Sequence, residues 1–380
     1  MLLWIRRFAA PALIIGLLAF PAHAQSPQRT STAPAGTLAE GWAALAKGDL
    51  PRAAAAADRA VAETPLDPAA ASLAVEVELV RAGAMGALAR YERWLAGRKV
   101  DAPYVLRSIA TAHLQEIVRQ RTAGAARLDA LKALVADGDP VAAASLAAAG
   151  DKAGPAETHL MASLGNEGAV RALIRQLQAA PSKGATIKAL ADSGSPLAIK
   201  PLMDLLSSGN PDDRAAAADA LARLGAEQAI DRIKPLFSEQ NFNVRMAAAA
   251  ALYRLGDNTG AAFLEERLTS EHSQVKLSAA EALSVRPGGA WLSVARTLTS
   301  DPDEAVRLGA ARLVAPYDRQ LAESVLDSLG RSGNLAIREE AGRTLAERVA
   351  SDFATLRRLL HSSDGRTSVS AAARILELTR

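Results

Sequence analysis

Small and large apolar residues recur every 31 positions in the C-terminal half of the chain, in register with a column of basic residues. Counted from the basic position, an alanine follows three residues later and a leucine or valine seven later, which places both on one face of a helix. The basic column is Lys183, Arg214, Arg245, Lys276, Arg307 and Arg338; its neighbours are Ala217, Ala248, Ala279, Ala310 and Ala341, with Leu190, Leu221, Leu252, Leu283, Val314 and Leu345. Units that repeat in this way predict a solenoid, in which each unit buries its apolar face against the next.

Each unit has the pattern of two helices joined by a polar turn. Outer helices are predicted over 228–237 and 261–268, and the inner helix of a unit opens on a pair such as Val244-Arg245. Two units close on Leu-Gly, and Gly256 suits the left-handed position that ends a helix. Turn signals separate helical segments from about residue 37 onwards, and no convincing alternating strand interrupts them. The sequence therefore predicts an all-α protein.

This pattern resembles HEAT-like repeats of the short kind found in phycobilisome lyases and in many bacterial scaffold proteins. The resemblance implies a right-handed α-solenoid of HEAT-like helix pairs over residues 166–380. It also implies that the basic column is a ladder that reaches acids or carbonyls of the preceding turn. Asp301, six residues before Arg307, fits this role, and the equivalent residues of the other units fit it only partly.

The same helical register makes predictions about individual alanines. Ala249 and Ala280 stand where adjacent helices meet, so we expect both in the core. Ala222 is expected to face solvent.

The chain before the repeats divides into two helical regions. Residues 37–100 resemble tetratricopeptide repeats at Gly48, Ala53, Ala60 and Pro65, which implies tetratricopeptide-like helical hairpins; an ordinary helical hairpin is the alternative. Residues 101–165 are predicted to form an irregular helical connector, with helices over 103–119 and 123–135. Its last part, 139–165, is interpreted as degraded repeats, because Lys152 extends the basic column backwards.

The N-terminus has the pattern of an export signal. Arg6 and Arg7 precede an apolar stretch over 8–20, and Ala22-His23-Ala24 is a cleavage site with small residues at both ends. We predict a signal peptide over 1–24, a flexible linker over 25–36, and a mature chain in the periplasm or secreted. The apolar stretch is too short to span a membrane, and no apolar run after the predicted signal approaches membrane length, so the mature chain is predicted to have no transmembrane span.

Composition narrows the possible functions. The net charge is +3, and two of the positive charges belong to Arg6 and Arg7 of the predicted signal. The chain has no cluster of basic residues, and only 4% of its residues are aromatic. Nucleic-acid binding is therefore not predicted, since it relies on basic patches and stacking side chains. The chain also has no cysteine, so no disulfide supports the fold.

Motifs that resemble catalytic or metal sites have simpler explanations. Ser273 and Lys276 have the Ser-x-x-Lys spacing of penicillin-recognising enzymes, but Lys276 belongs to the basic column and Lys-Thr-Gly is missing. His113 and Glu116 form a single His-x-x-Glu pair, which is usually a solvated helix pair rather than a metal site. The His-Glu pairs of the di-iron hydroxylase built on HEAT-like repeats are missing as well. We predict no enzymatic activity, no cofactor and no metal.

One apolar stripe falls outside the core face of the repeats. The position after the basic residue points away from that face, yet it is apolar in three successive units, and a tyrosine with two flanking arginines shares its side. The candidate partner-binding residues are Met246, Leu277, Leu308, Tyr253, Arg223 and Arg254. On a concave surface they predict a groove for a protein or peptide partner. The alternative is that the stripe packs sideways against the next inner helix.

The sequence therefore favours an exported protein-binding scaffold or adaptor. One alternative is an accessory subunit or degenerate enzyme related to HEAT-like lyases. Another is a structural envelope component that binds glycan, but Trp42, Trp94 and Trp291 are far apart in sequence for a glycan platform.

Overall fold

A computed structural model describes residues 35–96, 98, 100–120, 124–150, 153–179 and 182–380. This part of the chain is helical and has no strand, which confirms the all-α prediction. The predicted signal peptide, nearly all of the predicted linker, and Lys152 lie outside the described residues.

The α-helices are, in chain order, α1 (Ala35–Ala46), α2 (Leu50–Glu63), α3 (Pro68–Leu95), α4 (Pro103–Arg119), α5 (Gly124–Ala136), α6 (Pro140–Ala149), α7 (Pro155–Ser163), α8 (Glu167–Ala179), α9 (Gly184–Asp192), α10 (Ile199–Leu205), α11 (Pro211–Arg223), α12 (Ile230–Ile233), α13 (Phe242–Arg254), α14 (Ala261–Arg267), α15 (Ser273–Leu283), α16 (Trp291–Leu298), α17 (Glu304–Val314), α18 (Arg319–Leu329), α19 (Leu335–Thr344), α20 (Phe353–Leu360) and α21 (Gly365–Leu378). Short 3₁₀-helices flank α10 and α12, and a π-helix, Leu345–Val349, extends α19.

From α4 onwards the helices form pairs, as expected for HEAT-like repeats. The even-numbered helix of each pair is the outer one, and the odd-numbered helix is the inner one. Each inner helix contacts the inner helices of the neighbouring pairs and, in most pairs, the outer helix of the next pair. The pairs α4–α5 and α6–α7, from the segment predicted as a connector, stack in the same order as the later pairs.

The last helix pair packs against the first, so the solenoid closes into a ring. α21 contacts α5 as an inner helix contacts its neighbour, and it contacts α4 as an inner helix contacts the next outer helix. Arg357 forms an ion pair with Asp101, and Arg366 Nε lies 2.8 Å from Asp129 Oδ2. These two pairs join residues 256 and 237 positions apart. The repeat pattern predicted the helix pairs, but it did not indicate closure.

The His-x-x-Glu pair of α4 takes part in this architecture. His113 is buried, and its Nε2 lies 3.1 Å from Ser368 Oγ of α21. Glu116 Oε1 accepts a hydrogen bond from the backbone N–H of Ala84 at 2.8 Å, where Gly83, with φ +75°, interrupts α3. The expectation of a solvated helix pair is therefore wrong, because α21 covers His113 and Glu116 joins α4 to the second half of α3.

The repeat positions fill the core largely as predicted. The columns of alanines and of leucines or valines are buried in every unit, and Ala249 and Ala280 are fully buried. Gly256 has φ +96°, which confirms its left-handed position at the end of the inner helix. The prediction that Ala222 faces solvent is wrong, because it is only 4% exposed. Its helix α11 packs closely against both α9 and α13, and this closes the side that the register left open.

The basic column is a ladder of hydrogen bonds to backbone carbonyls. In four units the arginine donates from Nη1 to the carbonyl six residues earlier, at the end of the outer helix or in the turn that follows it. The four pairs are Arg214 with Ser208 (2.7 Å), Arg245 with Glu239 (3.2 Å), Arg307 with Asp301 (2.7 Å) and Arg338 with Ser332 (2.7 Å). Because the acceptor is the backbone, the side chain six residues earlier can vary. This confirms the structural role and explains why the side chains fitted only partly.

Replacing a ladder arginine should destabilise the fold without any effect on a binding surface. Arg307 also donates to the carbonyl of Pro302 at 3.1 Å. Arg307→Met should lower the free energy of unfolding by about 1–2 kcal/mol, because the loss of this charged donor leaves its carbonyl acceptors without a hydrogen bond. Arg254→Met, at an exposed arginine, is the control and should change stability by less than about 0.5 kcal/mol. Urea unfolding followed by circular dichroism measures both, and equal effects would contradict the ladder.

Candidate functional site

The inner helices surround a polar cavity of about 950 Å³. Side chains from α5, α7, α9, α11, α21 and the end of α19 with its π-helix line it. These six elements are consecutive around the ring because α21 adjoins α5. Closure of the solenoid therefore creates the cavity, which has residues from near both ends of the repeat region in its wall.

Helical periodicity explains which residues reach the cavity. On α7 the lining residues are Ala156, His159, Leu160 and Ser163, and α9 presents the matching set, which includes Lys188 and Asp192. The spacing of three, four and seven residues is that of one helix face. In the π-helix at 345–349 each backbone hydrogen bond spans five residues instead of the four of an α-helix. Two adjacent residues of this π-helix, Glu347 and Arg348, both line the cavity.

Basic side chains outnumber acidic ones in this lining. The basic residues are Lys132, Lys188, Arg223, Arg343, Arg348 and Arg366. The acidic residues are Asp129, Asp192 and Glu347. With His159 neutral, the described residues of the lining carry six positive charges against three negative ones, whereas the whole chain has 44 Lys and Arg against 41 Asp and Glu.

Ion pairs hold some of these side chains in place. Asp192 accepts hydrogen bonds from Lys188, at 2.5 Å, and from Arg223 of the neighbouring inner helix. Burial would raise the pKa of Asp192, but the hydrogen bonds from Lys188 and Arg223 outweigh it and lower the pKa overall. On the opposite side, the ion pair of Arg366 with Asp129 joins α21 to α5. Some of the charged side chains in the lining are therefore already paired with each other, and these pairs stabilise the ring.

Three other groups in the cavity are unpaired within the described part of the chain. Lys132 and Arg348 are exposed and have neither a hydrogen-bond nor an ion-pair partner there. His159 Nε2 is buried and lacks a hydrogen-bond partner. Burial lowers the pKa of His159; Asp192 opposes this shift and Lys188 adds to it, so the imidazole is neutral at pH 7. Lys132 and Arg348 are therefore free to bind a ligand in the cavity, whereas the unpaired nitrogen of His159 is shielded from it.

The predicted apolar stripe lies elsewhere and is largely covered. Leu277 is 3% exposed and Leu308 5% exposed. A Cβ atom on Gly309 would lie only 2.5 Å from Leu277 Cδ2, which shows how closely α15 and α17 approach. The two leucines therefore pack sideways between inner helices, as the alternative reading of the sequence proposed, and they do not line an open groove.

The remaining candidates are dispersed. Met246 is half-buried against the core around α14 and α15, and the guanidinium of Arg286 lies 4.0 Å from the ring centre of Tyr253. Arg254 is exposed but does not line the cavity, whereas Arg223 does. Of the six candidates only Arg223 lines the cavity, and the sequence analysis did not single out the cavity residues Lys132 and Lys188, which are isolated charges in the sequence.

The glycan alternative loses one of its aromatic candidates. Trp291 is 2% exposed and packs against Tyr317, with ring centres 5.4 Å apart. It is therefore unable to stack on a sugar at the surface.

The sequence profile described as HEAT repeats matches residues 199–284. This stretch is a HEAT-repeat segment. It runs from α10 to the end of α15, and the HEAT-like helix pairs continue around the ring on both sides of it.

Three solved structures are similar. The complex of CpcE and CpcF of phycocyanin lyase from Nostoc has 21% identity, covering 61% of this chain and 94% of that chain, with a TM-score of 0.36. Human deoxyhypusine hydroxylase in complex with glycerol has 16% identity, covering 72% and 98% of the two chains, with a TM-score of 0.33. An engineered protein has 24% identity, covering 59% and 96%, with a TM-score of 0.20. No curated protein matches the sequence.

The described part of the chain has neither membrane-spanning helices nor metal-binding clusters. Among the described residues, no helix has both the length and the apolar character needed to cross a membrane. Within the same residues, no three His, Asp or Glu side chains are grouped so that they would hold a metal ion.

Proposed function

We propose that this protein is an exported scaffold that binds a protein or peptide partner on the inner surface of its ring. The observation that carries the proposal is the 950 Å³ polar cavity, to which six consecutive inner elements contribute side chains. A volume at the upper end of the range for small-molecule sites, roughly 300–1,000 Å³, accommodates several residues of a polypeptide. Solenoids commonly use their concave face in this way.

The burial of the apolar repeat positions also supports binding at the inner surface. The leucines, valines and alanines of the repeat columns are buried in contacts between helices, so they are not available to bind a partner. The described side chains of the cavity lining are mostly polar, and two of them, Lys132 and Arg348, have no partner among the described residues. The pattern of residues 1–24 supports export, and in this proposal the surface faces the periplasm or the exterior of the cell.

A photo-crosslinker placed in the cavity tests this proposal. Ala185 lines the cavity and Ala262 lies on the outer helix α14, and both alanines are exposed. With benzoylphenylalanine at one of these positions at a time, irradiation of intact cells should yield a discrete adduct from 185 and not from 262. Adducts from 262 alone, or equally from both, would contradict binding at the inner face.

The same cells test export. N-terminal sequencing of the purified periplasmic protein should begin at or near Gln25, because Ala22-His23-Ala24 precedes it. An uncleaved chain recovered from the cytoplasm would contradict export.

A further inference from the structure

We infer that the cavity binds an acidic segment of polypeptide, through carboxylates that pair with its unpaired basic side chains. This inference rests on the proposed function and specifies the chemistry of the partner. It follows from three observations: the excess of positive charge, the unpaired groups, and the mixture of signs in the lining.

The excess of positive charge is local. Among the described residues of the lining, six are Lys or Arg and three are Asp or Glu. A concave site with walls of low dielectric concentrates the field of such charges, which attracts ligands of the opposite sign. An acidic ligand therefore gains more from this surface than a neutral or basic one.

Two of the positive charges have no role within the ring. Arg366 is tied to Asp129 and Arg223 to Asp192, so these arginines contribute to closure and to contacts between helices. Lys132 and Arg348 make no such contact among the described residues. They come from α5 and from the π-helix after α19, two elements that flank α21 on either side.

The mixture of signs favours a peptide over a nucleic acid. A phosphate backbone carries a negative charge at every nucleotide, and it would meet Asp129, Asp192 and Glu347 as well as the cations. The described residues of the lining include no Phe, Tyr or Trp, so they provide no stacking platform for bases. A peptide presents carboxylates to the cations while its backbone N–H groups donate to the acids, and its carbonyls accept hydrogen bonds.

Fluorescence anisotropy on the purified full chain tests the inference. The probe is a fluorescein-labelled peptide of eight residues that alternates Glu with Gly, and the matched probe has Gln in place of each Glu. The Glu peptide should bind and the Gln peptide should bind much more weakly. Added salt should weaken the binding, because ionic strength screens charges at the cavity mouth.

Charge reversal locates the binding. Lys132→Glu with Arg348→Glu should weaken binding of the Glu peptide about tenfold, a loss of about 1.4 kcal/mol, since each change replaces a solvent-screened attraction by a repulsion. Both side chains are unpaired, so the fold should persist, and circular dichroism checks this. The matched control is Lys47→Glu with Arg254→Glu, which makes the same change in charge at two exposed side chains outside the cavity.

The outcomes separate this inference from the proposed function. Failure of the Glu peptide to bind, or tighter binding of an oligonucleotide of equal charge, would overturn the acidic-peptide inference. So would an equal loss in the control variant, because binding would then depend only on net charge. The crosslink from position 185 would still stand in each of these cases, and its absence would overturn the proposed function instead.

Discussion

Cysteines introduced at positions 126 and 365 should form a disulfide spontaneously in the folded chain. A Cβ atom on Gly365 would lie 3.4 Å from the Cβ of Ala126, close to the 3.5–4.5 Å separation found in disulfides. Gly365 begins α21 and Ala126 lies in the first turn of α5, so the bond would span the closure of the ring. Because the chain has no cysteine of its own, no competing disulfide can form within it.

The double variant, Ala126→Cys with Gly365→Cys, should also be more stable when oxidised. A crosslink that closes so long a segment restricts the unfolded chain, and typical gains are about 2–4 kcal/mol. Non-reducing electrophoresis should show a monomer of altered mobility, and the thermal midpoint should fall when dithiothreitol is added.

A second pair of cysteines provides the control for geometry. Ala262→Cys with Gly365→Cys places one thiol on the outer helix α14, which does not contact α21. This pair should stay reduced within the monomer. In an open solenoid, positions 126 and 365 would lie at opposite ends, so only disulfides between chains would form from either pair. That result would contradict the ring.

Overpacking at Ala249 should be the most damaging of the core substitutions. A Cβ atom on Gly260 would lie 2.6 Å from the Cα of Ala249, so the backbone at Gly260 already lies against this alanine. A leucine at 249 meets main chain that is unable to rotate aside, and we expect Ala249→Leu to cost about 3 kcal/mol, the upper part of the range for overpacking. Thermal unfolding followed by circular dichroism measures the shift.

Leucine substitutions at three other alanines provide the comparison for Ala249→Leu. Ala280→Leu should also destabilise, by roughly 1–3 kcal/mol, because Ala280 is fully buried. Ala222→Leu should now be destabilising too, since the structure buries Ala222 where the sequence register exposed it. Ala262→Leu is the silent control at an exposed position of a helix. Equal thermal shifts at 249 and 262 would refute the packing register.

The sequence predicted the repeating unit well, for reasons that are local. The 31-residue period, the buried columns around Leu252 and the left-handed Gly256 all depend on contacts within a unit or with the next one. The ladder was also predictable in kind, although Arg307 bonds to a carbonyl rather than to the carboxylate of Asp301. Local patterns of this type leave a signal in a single sequence because each unit repeats it.

Closure and the site were not predictable in the same way. Whether a solenoid closes depends on the small rotation between successive units, summed over all of them, and no single unit records that sum. Contacts such as Arg357 with Asp101 occur once, so no repetition reveals them. The expectation that Leu277 and Leu308 line an open groove was wrong for a related reason. Both point away from the core face of their own helix, but the neighbouring inner helix covers them.

The unpaired cations were visible in the sequence only as isolated charges. Lys132 lies in α5 and Arg348 in the π-helix, more than half of the chain apart. Only the ring brings them to one cavity, and the π-helix shifts the register at 345–349 in a way that helical periodicity does not anticipate.

The closed ring also determines the order in which the chain can fold. Neighbouring helix pairs meet across segments of about one repeat, so they can assemble while the chain is still being completed. The bonds between α4 and α21 must wait for the last helix, and that of Arg107 with the carbonyl of Leu376 spans 269 positions. Until α21 docks, the nascent protein is an arc in which Ala126 and the rest of the surface that α21 covers on α4 and α5 are exposed at one end. Such apolar surface promotes association between incomplete chains, so the final helix acts as the step that makes each molecule self-contained.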